Sequence, residues 1–370
     1  MGIQSRTIPV VENLPMLIVD AHEDIAFNWL AGGRDWRRSA LDIRREEAGQ
    51  VDRARAGLAS TGLPESLAGG VAVIFATLFT APRSRHAGPW DSLSYGDAPE
   101  AYALALRQLD YYERLADEHD QITLVADRGQ LDAVLATWER GRPESGREIG
   151  LVLLMENADP IIEPEQFEEW YARGVRIVGP AWTASRYCGG TGQPGPLTDE
   201  GRELLEIMAE FGALLDLSHM AEEACREALD RYEGPVFASH SNPRRFCDTD
   251  RHLDDGMIRQ LAERDGVCGA VLFNRFLSNH WSGPQRLPLE VVLQVIDHVC
   301  QLTGSAGHAG IGSDLDGGFG AESAPAGVDT VADLGAIGSG LAERGYQPDD
   351  IVAIMSGNML RMLKAALPEG

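Results

Sequence analysis

Five apolar segments of the chain are closed or followed by histidine or carboxylate side chains, and the first of them shows the pattern most clearly. The apolar run 17–19 is typical of a buried strand, and His22 and Asp24 come just after it. Side chains two positions apart along a strand point to the same side. We therefore predict that this imidazole and this carboxylate face one point and form half of a metal site. The competing interpretation, a helix N-terminus capped by Asp24, stays open on these residues alone.

Four further strand ends carry the same kind of side chain. They contribute Glu156, His219, His240 and Asp314. A single histidine after a strand is most often a hydrogen-bonded loop residue, so none of these positions is informative alone. Together with the first pair, however, they supply three imidazoles and three carboxylates. This ligand set suits two zinc-like divalent ions.

A binuclear site needs an anionic ligand between its two cations, because the cations repel each other. A carboxylated lysine is one such bridge, but Lys364 is the only lysine of the chain and falls in the predicted C-terminal helix. The sequence therefore favours Glu156 as the bridging ligand. A hydroxide shared by the two ions would be the nucleophile, because metal binding lowers the pKa of water to near ~7. Asp314 is left to orient this water and to transfer its proton.

The spacing of the apolar segments predicts the framework that positions these residues. Eight segments have the composition of buried strands, and most are followed by a helical pattern: 17–19, 71–79, 150–156, 175–181, 213–216, 236–239, 266–273 and 309–313. This alternation predicts an α/β fold, a single (β/α)8 TIM-like barrel domain over residues 1–370. In such a barrel, catalytic side chains lie at the carboxyl ends of the strands, where the six candidates fall.

The remaining segments are predicted to surround the barrel. Residues 25–70 are charged and indicate a partly helical insertion after the first strand, and residues 81–98 indicate a polar loop. Residues 328–343 and 348–366 are predicted as C-terminal helices. An open doubly wound sheet is the alternative architecture. No glycine-rich phosphate loop follows the first strand, which disfavours a dinucleotide-binding fold of that type.

Composition excludes several functional classes. The chain has 370 residues and a formal net charge of −25, and an acidic surface repels phosphates, so we expect no nucleic-acid partner. Its five cysteines are widely spaced without a Cys-x-x-Cys pair, which favours a reducing compartment. Residues 1–16 show no signal peptide, and no run of 18 apolar residues could span a membrane. We expect a cytoplasmic protein with no membrane partner, and a homodimer stays open.

These residues together resemble the membrane dipeptidase (renal dipeptidase) family of zinc metallopeptidases, within the amidohydrolase-like superfamily. The matching segments follow the family order over nearly the whole chain: 20–24, Glu156, 216–219, 239–241, Arg251 and 312–317. The resemblance implies a dipeptide as substrate and two Zn²⁺ ions as cofactors. It also implies that Arg251 binds the C-terminal carboxylate of the substrate, a group that a guanidinium can bind through two hydrogen bonds.

The resemblance further implies a role for each metal-site candidate. His22 and Asp24 would bind one ion, His219 and His240 the other, and Glu156 would bridge the two. Asp314 would be the catalytic acid/base.

Two positions depart from the family pattern. Relatives have a histidine at the end of the fourth strand that is thought to hold the tetrahedral intermediate, and aligning 174–176 places Trp182 there. Relatives also tend to follow the bridging glutamate with glycine, whereas this chain has Asn157. Both changes leave metal binding plausible and concern the substrate. We expect Trp182 to contact the substrate.

Three functions are therefore under consideration. The first is a zinc-dependent dipeptidase that hydrolyses the amide bond of dipeptides with a metal-bridging hydroxide. The second is a related amidohydrolase that acts on another small amide, such as an N-acyl amino acid, and Trp182 favours it. The third is a barrel that binds a small ligand without turnover. It is disfavoured because the whole ligand set and the acid/base residue are present.

Overall fold

Eight strands form the wall of a (β/α)8 barrel in a computed structural model that describes residues 16–50, 57–85 and 93–370. Their bounds are β1 Ile18–Glu23, β2 Val71–Phe79, β3 Ile149–Glu156, β4 Val175–Gly179, β5 Leu214–Asp216, β6 Val236–Phe237, β7 Cys268–Ala270 and β8 Ala309–Ile311. Strands β1 to β6 are hydrogen-bonded in chain order, all in parallel, and β7 pairs in parallel with β8. The predicted TIM-like barrel is confirmed.

Two short contacts join these sheets into a ring. A parallel bridge between Ala238 and Cys268 connects β6 to β7. On the other side, the backbone N–H of Asp314 donates to the carbonyl of His22 at 3.2 Å and connects β8 to β1. The segments that follow β6 and β8 also approach each other closely: a Cβ on Gly312 would lie 1.9 Å from the carbonyl oxygen of Ser239, so only glycine fits.

Fourteen α-helices occur in the described ranges. Their bounds are α1 Ile25–Gly32, α2 Ala40–Glu47, α3 Leu63–Gly69, α4 Ala98–Glu118, α5 Arg128–Thr137, α6 Phe167–Ala172, α7 Asp199–Glu210, α8 Glu222–Arg231, α9 Asp255–Glu263, α10 Asn274–Leu277, α11 Glu290–Thr303, α12 Gly335–Glu343, α13 Pro348–Val352 and α14 Asn358–Ala366. Local signals set several starts: Thr198 caps α7 by accepting from the N–H of Gly201 at 3.0 Å. No helix of the described part is long and apolar enough to cross a membrane.

Two apolar layers hold the barrel together. Inside it, Val73, Phe75 and Phe237 pack together, and Met359 of α14 reaches the same cluster. Between the strands and the surrounding helices lies the larger layer, with residues such as Trp170. Because the α14 side chains fill one end of the barrel, the site can form only at the other end, where the strands finish.

The structure changes some predicted boundaries. Strand β1 continues to Glu23 and so includes His22, which was predicted to lie beyond the strand. The pairing of β1 with β2 is shifted in register between Asp20 and Glu23. This shift interrupts the alternation of faces, so Ala21 packs in the inner layer while His22, its neighbour, reaches the site. Strand β7 is shorter than the predicted 266–273.

Some short strands were not predicted. Cys188–Gly190 and Gln193–Leu197 form an antiparallel hairpin after β4, and Ala81–Pro82 pairs in parallel with Ser94–Tyr95. The segment 81–98, predicted as a polar loop, therefore contains two short strands that pair with each other. Its residues 86–92, like the N-terminal segment examined for a signal peptide up to residue 15, lie outside the described residues.

Candidate metal centre

Six predicted side chains meet at the open end of the barrel. His22 lies on β1, Glu156 is the last residue of β3, and the other four follow strand ends: Asp24, His219, His240 and Asp314. Their ligand atoms fall into three overlapping groups whose members lie within 4.8 Å of one another. The structure thus brings all six together, as predicted from their positions at strand ends.

Glu156 lies at the centre of the group. Its Oε1 is 3.2 Å from Nε2 of His219 and 3.6 Å from Nε2 of His240. Its Oε2 is 3.6 Å from Nε2 of His22. The two carboxylate oxygens therefore face two different sets of imidazoles, which is the arrangement that a bridging ligand needs.

His219 and His240 present unprotonated Nε2 atoms to Glu156. Ser239 Oγ donates to Asp216 at 2.5 Å, so it accepts at 2.7 Å from Nδ1 of His240. Thr191 Oγ1 lies 3.1 Å from Nδ1 of His219 and 3.4 Å from its carbonyl, to which it donates. Both rings thus carry their proton on Nδ1, and their unprotonated Nε2 atoms lie only 3.1 Å apart. Converging lone pairs and a carboxylate oxygen need a cation between them, so these residues fit a metal ion.

The first half-site has the same character. Neither ring nitrogen of His22 has a hydrogen-bond partner among the described residues, although the side chain is almost fully buried. Asp24 occupies the N-cap position of α1, as the alternative interpretation required, but it makes no capping hydrogen bond. Its Oδ1 lies 3.9 Å from Nε2 of His22 and accepts from the hydroxyl of Thr77. The orphaned imidazole and the turned-in carboxylate also fit a cation.

Burial and charge set the protonation of the site. Burial lowers the pKa of His22, but the neighbouring carboxylates, led by Glu156, outweigh it and raise the pKa to about 10. Burial also raises the pKa of Glu156, but His22 and His219 outweigh it and hold the pKa well below its usual range. The pKa of His219 falls to about 4, chiefly because the ring is buried. The carboxylates therefore draw positive charge onto the nearest imidazole, and a bound cation would supply that charge instead.

Asp314 differs from Asp24 and Glu156 in its backbone conformation. Its Oδ1 is 3.9 Å from Nε2 of His22, and burial raises its pKa well above the usual value. Its backbone has a φ of 58°, a left-handed conformation that residues other than glycine rarely adopt. His219 shares this conformation with a φ of 67°. Such strain is tolerated where the surrounding structure fixes a side chain for a function.

Several supporting residues were missed by the sequence analysis. Asp216 accepts from the backbone N–H groups of Ser218 and Ser239, at 3.0 and 2.8 Å, and so holds the loops that carry His219 and His240. In the sequence, Asp216 stands at the end of β5 and belongs to the matching segment 216–219, but neither fact predicts these contacts. Asp20 plays the equivalent part at the junction of β8 and β1, where it accepts from the backbone N–H and the hydroxyl of Ser313.

Asn157 explains one departure from the family pattern. It follows Glu156 with a φ of 73°, and asparagine tolerates this left-handed conformation better than most residues with a side chain. Its Nδ2 donates to the carbonyl of Thr80 at 2.9 Å and to the hydroxyl of Tyr95 at 2.8 Å. The side chain thus ties the end of β3 to the short strand pair above it.

Five of the six residues, all except His22, line a cavity of about 410 Å³, and Arg251 and Trp182 line it as well. The Arg251 side chain is only 3% exposed, and it donates to the carbonyl of His240 at 2.7 Å and to Ser241 Oγ at 3.0 Å. Its Nε has no hydrogen-bond partner, and no carboxylate lies within ion-pair distance of it among the described residues. A buried guanidinium without a counter-ion suits an anionic ligand.

Trp182 forms part of an aromatic wall of the cavity. Its ring packs edge-to-face on Phe79, with centroids 5.2 Å apart, and Phe79 packs edge-to-face on Phe27 at 5.0 Å. The indole centroid is 6.3 Å from that of His219. The side chain therefore lines the cavity beside the metal-site candidates, and its role toward a substrate stays a prediction.

Known proteins with the same pattern include several dipeptidases. A family model described as membrane dipeptidase, peptidase family M19, matches residues 8–368. An uncharacterized dipeptidase of Schizosaccharomyces pombe is 30% identical over 206 residues, which are 54% of this chain and 49% of that protein. The dipeptidase ataJ of Aspergillus terreus is 28% identical over 298 residues, 72% of this chain and 69% of that protein. The match to the first relative thus spans about half of its length.

Solved structures show the same architecture. The dipeptidase AC, a metallopeptidase of family M19, superposes with a TM-score of 0.78 at 21% identity, covering 95% of this chain and 99% of that one. A metallopeptidase from Rhodobacter sphaeroides, bound to a phosphinate mimic of the dipeptide L-Ala-D-Ala, superposes with a TM-score of 0.77 at 21% identity over the same shares of the two chains. At these identities the likeness concerns the fold.

Proposed function

This chain belongs to the membrane dipeptidase family of metal-dependent hydrolases, and we propose that it hydrolyses the amide bond of dipeptides with two divalent ions, zinc by preference. One observation carries the proposal. Three imidazoles and three carboxylates converge, five of them lining a cavity of about 410 Å³ in which a buried guanidinium has no counter-ion among the described residues. A cavity of this size suits a small peptide.

The residues that would hold the ions follow from the contacts around Glu156. His22 and Asp24 would bind one ion, His219 and His240 the other, and Glu156 both. When bound, such a pair of ions lowers the pKa of water to supply a hydroxide nucleophile and polarises the carbonyl of the scissile amide. The hydrogen bonds to Nδ1 of the two paired histidines fix the tautomer that leaves Nε2 free as a ligand.

Asp314 would manage the proton. Its carboxylate lies at the edge of the ligand group, has no hydrogen bond that would engage it elsewhere in the described part of the chain, and lines the cavity. It would accept the proton of the attacking water at a carboxylate oxygen and deliver it to the nitrogen of the leaving amine. Burial raises its pKa, which makes the protonated form accessible nearer to neutral pH than for an exposed aspartate.

Arg251 would orient the substrate. Two hydrogen bonds, to the carbonyl of His240 and to Ser241 Oγ, fix the guanidinium at the cavity wall. Its Nε is buried and has no hydrogen-bond partner among the described residues. A carboxylate at the C-terminus of a dipeptide would neutralise this charge and place the scissile amide at a fixed distance from it.

The second candidate, hydrolysis of N-acyl amino acids, rests on the aromatic wall. Trp182, Phe79 and Phe27 offer apolar ring faces and edges on the side of the cavity near His219. An acyl chain could pack there, and its product amino acid would still offer Arg251 a carboxylate. Trp182 also cannot give the positive charge that a histidine could place beside a developing oxyanion.

The proposal also covers the cellular location and the partners of the protein. We place the protein in the cytoplasm, because its five cysteines are all unpaired and buried, as in proteins of reducing compartments. Its net charge of −25 argues against nucleic-acid partners. A homodimer is compatible with the family resemblance, and sedimentation would decide it.

The test is a substrate screen with zinc-loaded protein. Dipeptides of both stereochemistries at the second residue, including L-Ala-D-Ala, are assayed beside N-acyl amino acids with the same second residue, before and after chelation. Turnover of free dipeptides that is lost with a chelator and restored by zinc supports the proposal. Turnover of N-acyl amino acids alone supports the second candidate, and binding without turnover contradicts both.

A further inference from the structure

A second arginine, Arg85, reaches the mouth of the same cavity. It lies just after the short strand Ala81–Pro82, is exposed, and lines the cavity together with Trp182, Thr183 and Thr191. No carboxylate of the described residues lies within ion-pair distance of it.

Neighbouring arginines behave differently. Arg83, two positions earlier on the same turn, pairs with Glu100 at 2.7 Å. Arg186, which precedes the hairpin, pairs with Glu200 at 2.9 Å. Arg85 therefore differs from these two arginines both in lining the cavity and in lacking a counter-ion among the described residues.

The position of the Arg85 guanidinium is set by the hairpin. A Cβ on Gly192, at the hairpin turn, would lie 3.1 Å from Nη2 of Arg85, so the guanidinium rests against a position that is free of a side chain. The backbone N–H of Gly192 donates to the carboxylate of Asp250 at 2.7 Å, so this carboxylate is engaged by the hairpin turn. The guanidinium thus lies beside the turn, and no carboxylate of the described residues neutralises its charge.

Arg251 and Arg85 lie at different depths in the cavity. Arg251 is buried beside the metal-site candidates, where the α-carboxylate of a substrate would bind, whereas Arg85 stands at the exposed mouth. A second carboxylate, on a side chain of the substrate, would find Arg85 as its partner. We propose that Arg85 is a specificity-determining residue that binds this side-chain carboxylate, so that the enzyme prefers dipeptides containing glutamate or aspartate. The inference rests on the proposed dipeptidase function.

The test compares isosteric substrates that differ in one charge. The kcat/KM values of zinc-loaded protein are measured for Ala-Glu against Ala-Gln and for Glu-Ala against Gln-Ala, which also shows the substrate position that Arg85 reads. We expect the acidic member of at least one pair to be favoured by about three- to tenfold, a modest factor because the arginine is exposed. Added salt should reduce this ratio, because exposed charges are screened.

Variants separate Arg85 from general surface charge. In Arg85→Ala the ratio should fall to about one, and in Arg85→Glu the neutral member should become the better substrate. Arg83→Ala is the matched control, since it removes an exposed arginine two residues away that does not line the cavity, and it should keep the wild-type ratio. Thermal melting confirms that each variant is folded.

The outcomes distinguish a failure of the proposed role of Arg85 from a failure of the proposed dipeptidase function. An equal ratio in wild-type protein and Arg85→Ala, or an equal loss in Arg83→Ala, overturns the role of Arg85 while turnover of Ala-Ala leaves the dipeptidase function standing. Absence of zinc-dependent turnover on all of these peptides, Ala-Ala included, overturns the proposed function and the inference with it.

Discussion

Removing the Arg251 guanidinium should weaken substrates that carry a free C-terminal carboxylate and spare those that do not. The structure explains why the effect should be selective. The side chain is 3% exposed, its two hydrogen bonds to His240 and Ser241 fix its orientation, and its charge has no counter-ion among the described residues. A bound carboxylate would give this charge its counter-ion, and that interaction is lost completely in Arg251→Ala.

The magnitude follows from the kind of contact. A hydrogen bond to a charged group contributes about 1.5–3 kcal/mol. Its loss should therefore lower kcat/KM for a free dipeptide by roughly 10- to 150-fold. Most of the change should appear in KM, because the carboxylate contact is made equally in the ground state and in the transition state.

The assay compares each dipeptide with its C-terminal amide in wild-type protein and in Arg251→Ala. The loss of kcat/KM on the free dipeptide, divided by the loss on its amide, isolates the carboxylate contact from any general disturbance of the site. Arg244→Ala is the control for such disturbance, because Arg244 donates to the carbonyl of His252 in the same loop at 3.1 Å but does not line the cavity. Metal content is measured in both variants.

Equal losses on free and amidated dipeptides would refute the reasoning. So would a similar loss in Arg244→Ala, since loop damage rather than carboxylate binding would then explain the result. A selective loss on the free peptides, with the metal content intact, is the outcome that the geometry predicts.

Three other substitutions test separate parts of the site. Glu156→Gln should lose metal and activity together, as measured by elemental analysis and turnover, because a neutral amide is a poor bridge between cations; retention of both would contradict the bridging role. Asp314→Asn should keep most of the metal and lower kcat by about 10²- to 10⁴-fold, and a near wild-type kcat would remove it from proton transfer. Trp182→His and Trp182→Ala should reorder a panel of dipeptides with small and aromatic side chains while stability changes little. An unchanged ranking with a loss of about 3–5 kcal/mol in stability would instead make this tryptophan a packing residue.

The sequence predicts the barrel well because its strands are buried on both faces. Such strands appear as continuous apolar runs, and all eight runs correspond to strands of the ring. The ends were harder to predict, since His22 and Glu23 are polar and yet continue β1. The hairpin of 188–197 was missed because its glycines and prolines hide the alternation by which strands are recognised.

Part of the metal site could likewise be predicted from the sequence, and part could not. The six converging side chains could be predicted because a barrel gathers the carboxyl ends of its strands, so position alone brings them together. Their supporting residues could not, because an aspartate such as Asp216 or Asp20 shows its function only through the serines it contacts in space. The left-handed conformations of His219 and Asp314 also depend on tertiary structure and have no local signal.

The metal stoichiometry tests the central claim most directly. Protein purified and then loaded with zinc is analysed for bound metal per chain, and chelated protein is titrated with zinc while turnover of a dipeptide is followed. We predict about two ions per chain, by the ligand set of a binuclear site, with activity rising until the second equivalent is bound. Folded protein that binds close to no zinc, or that hydrolyses dipeptides fully without it, would contradict the account.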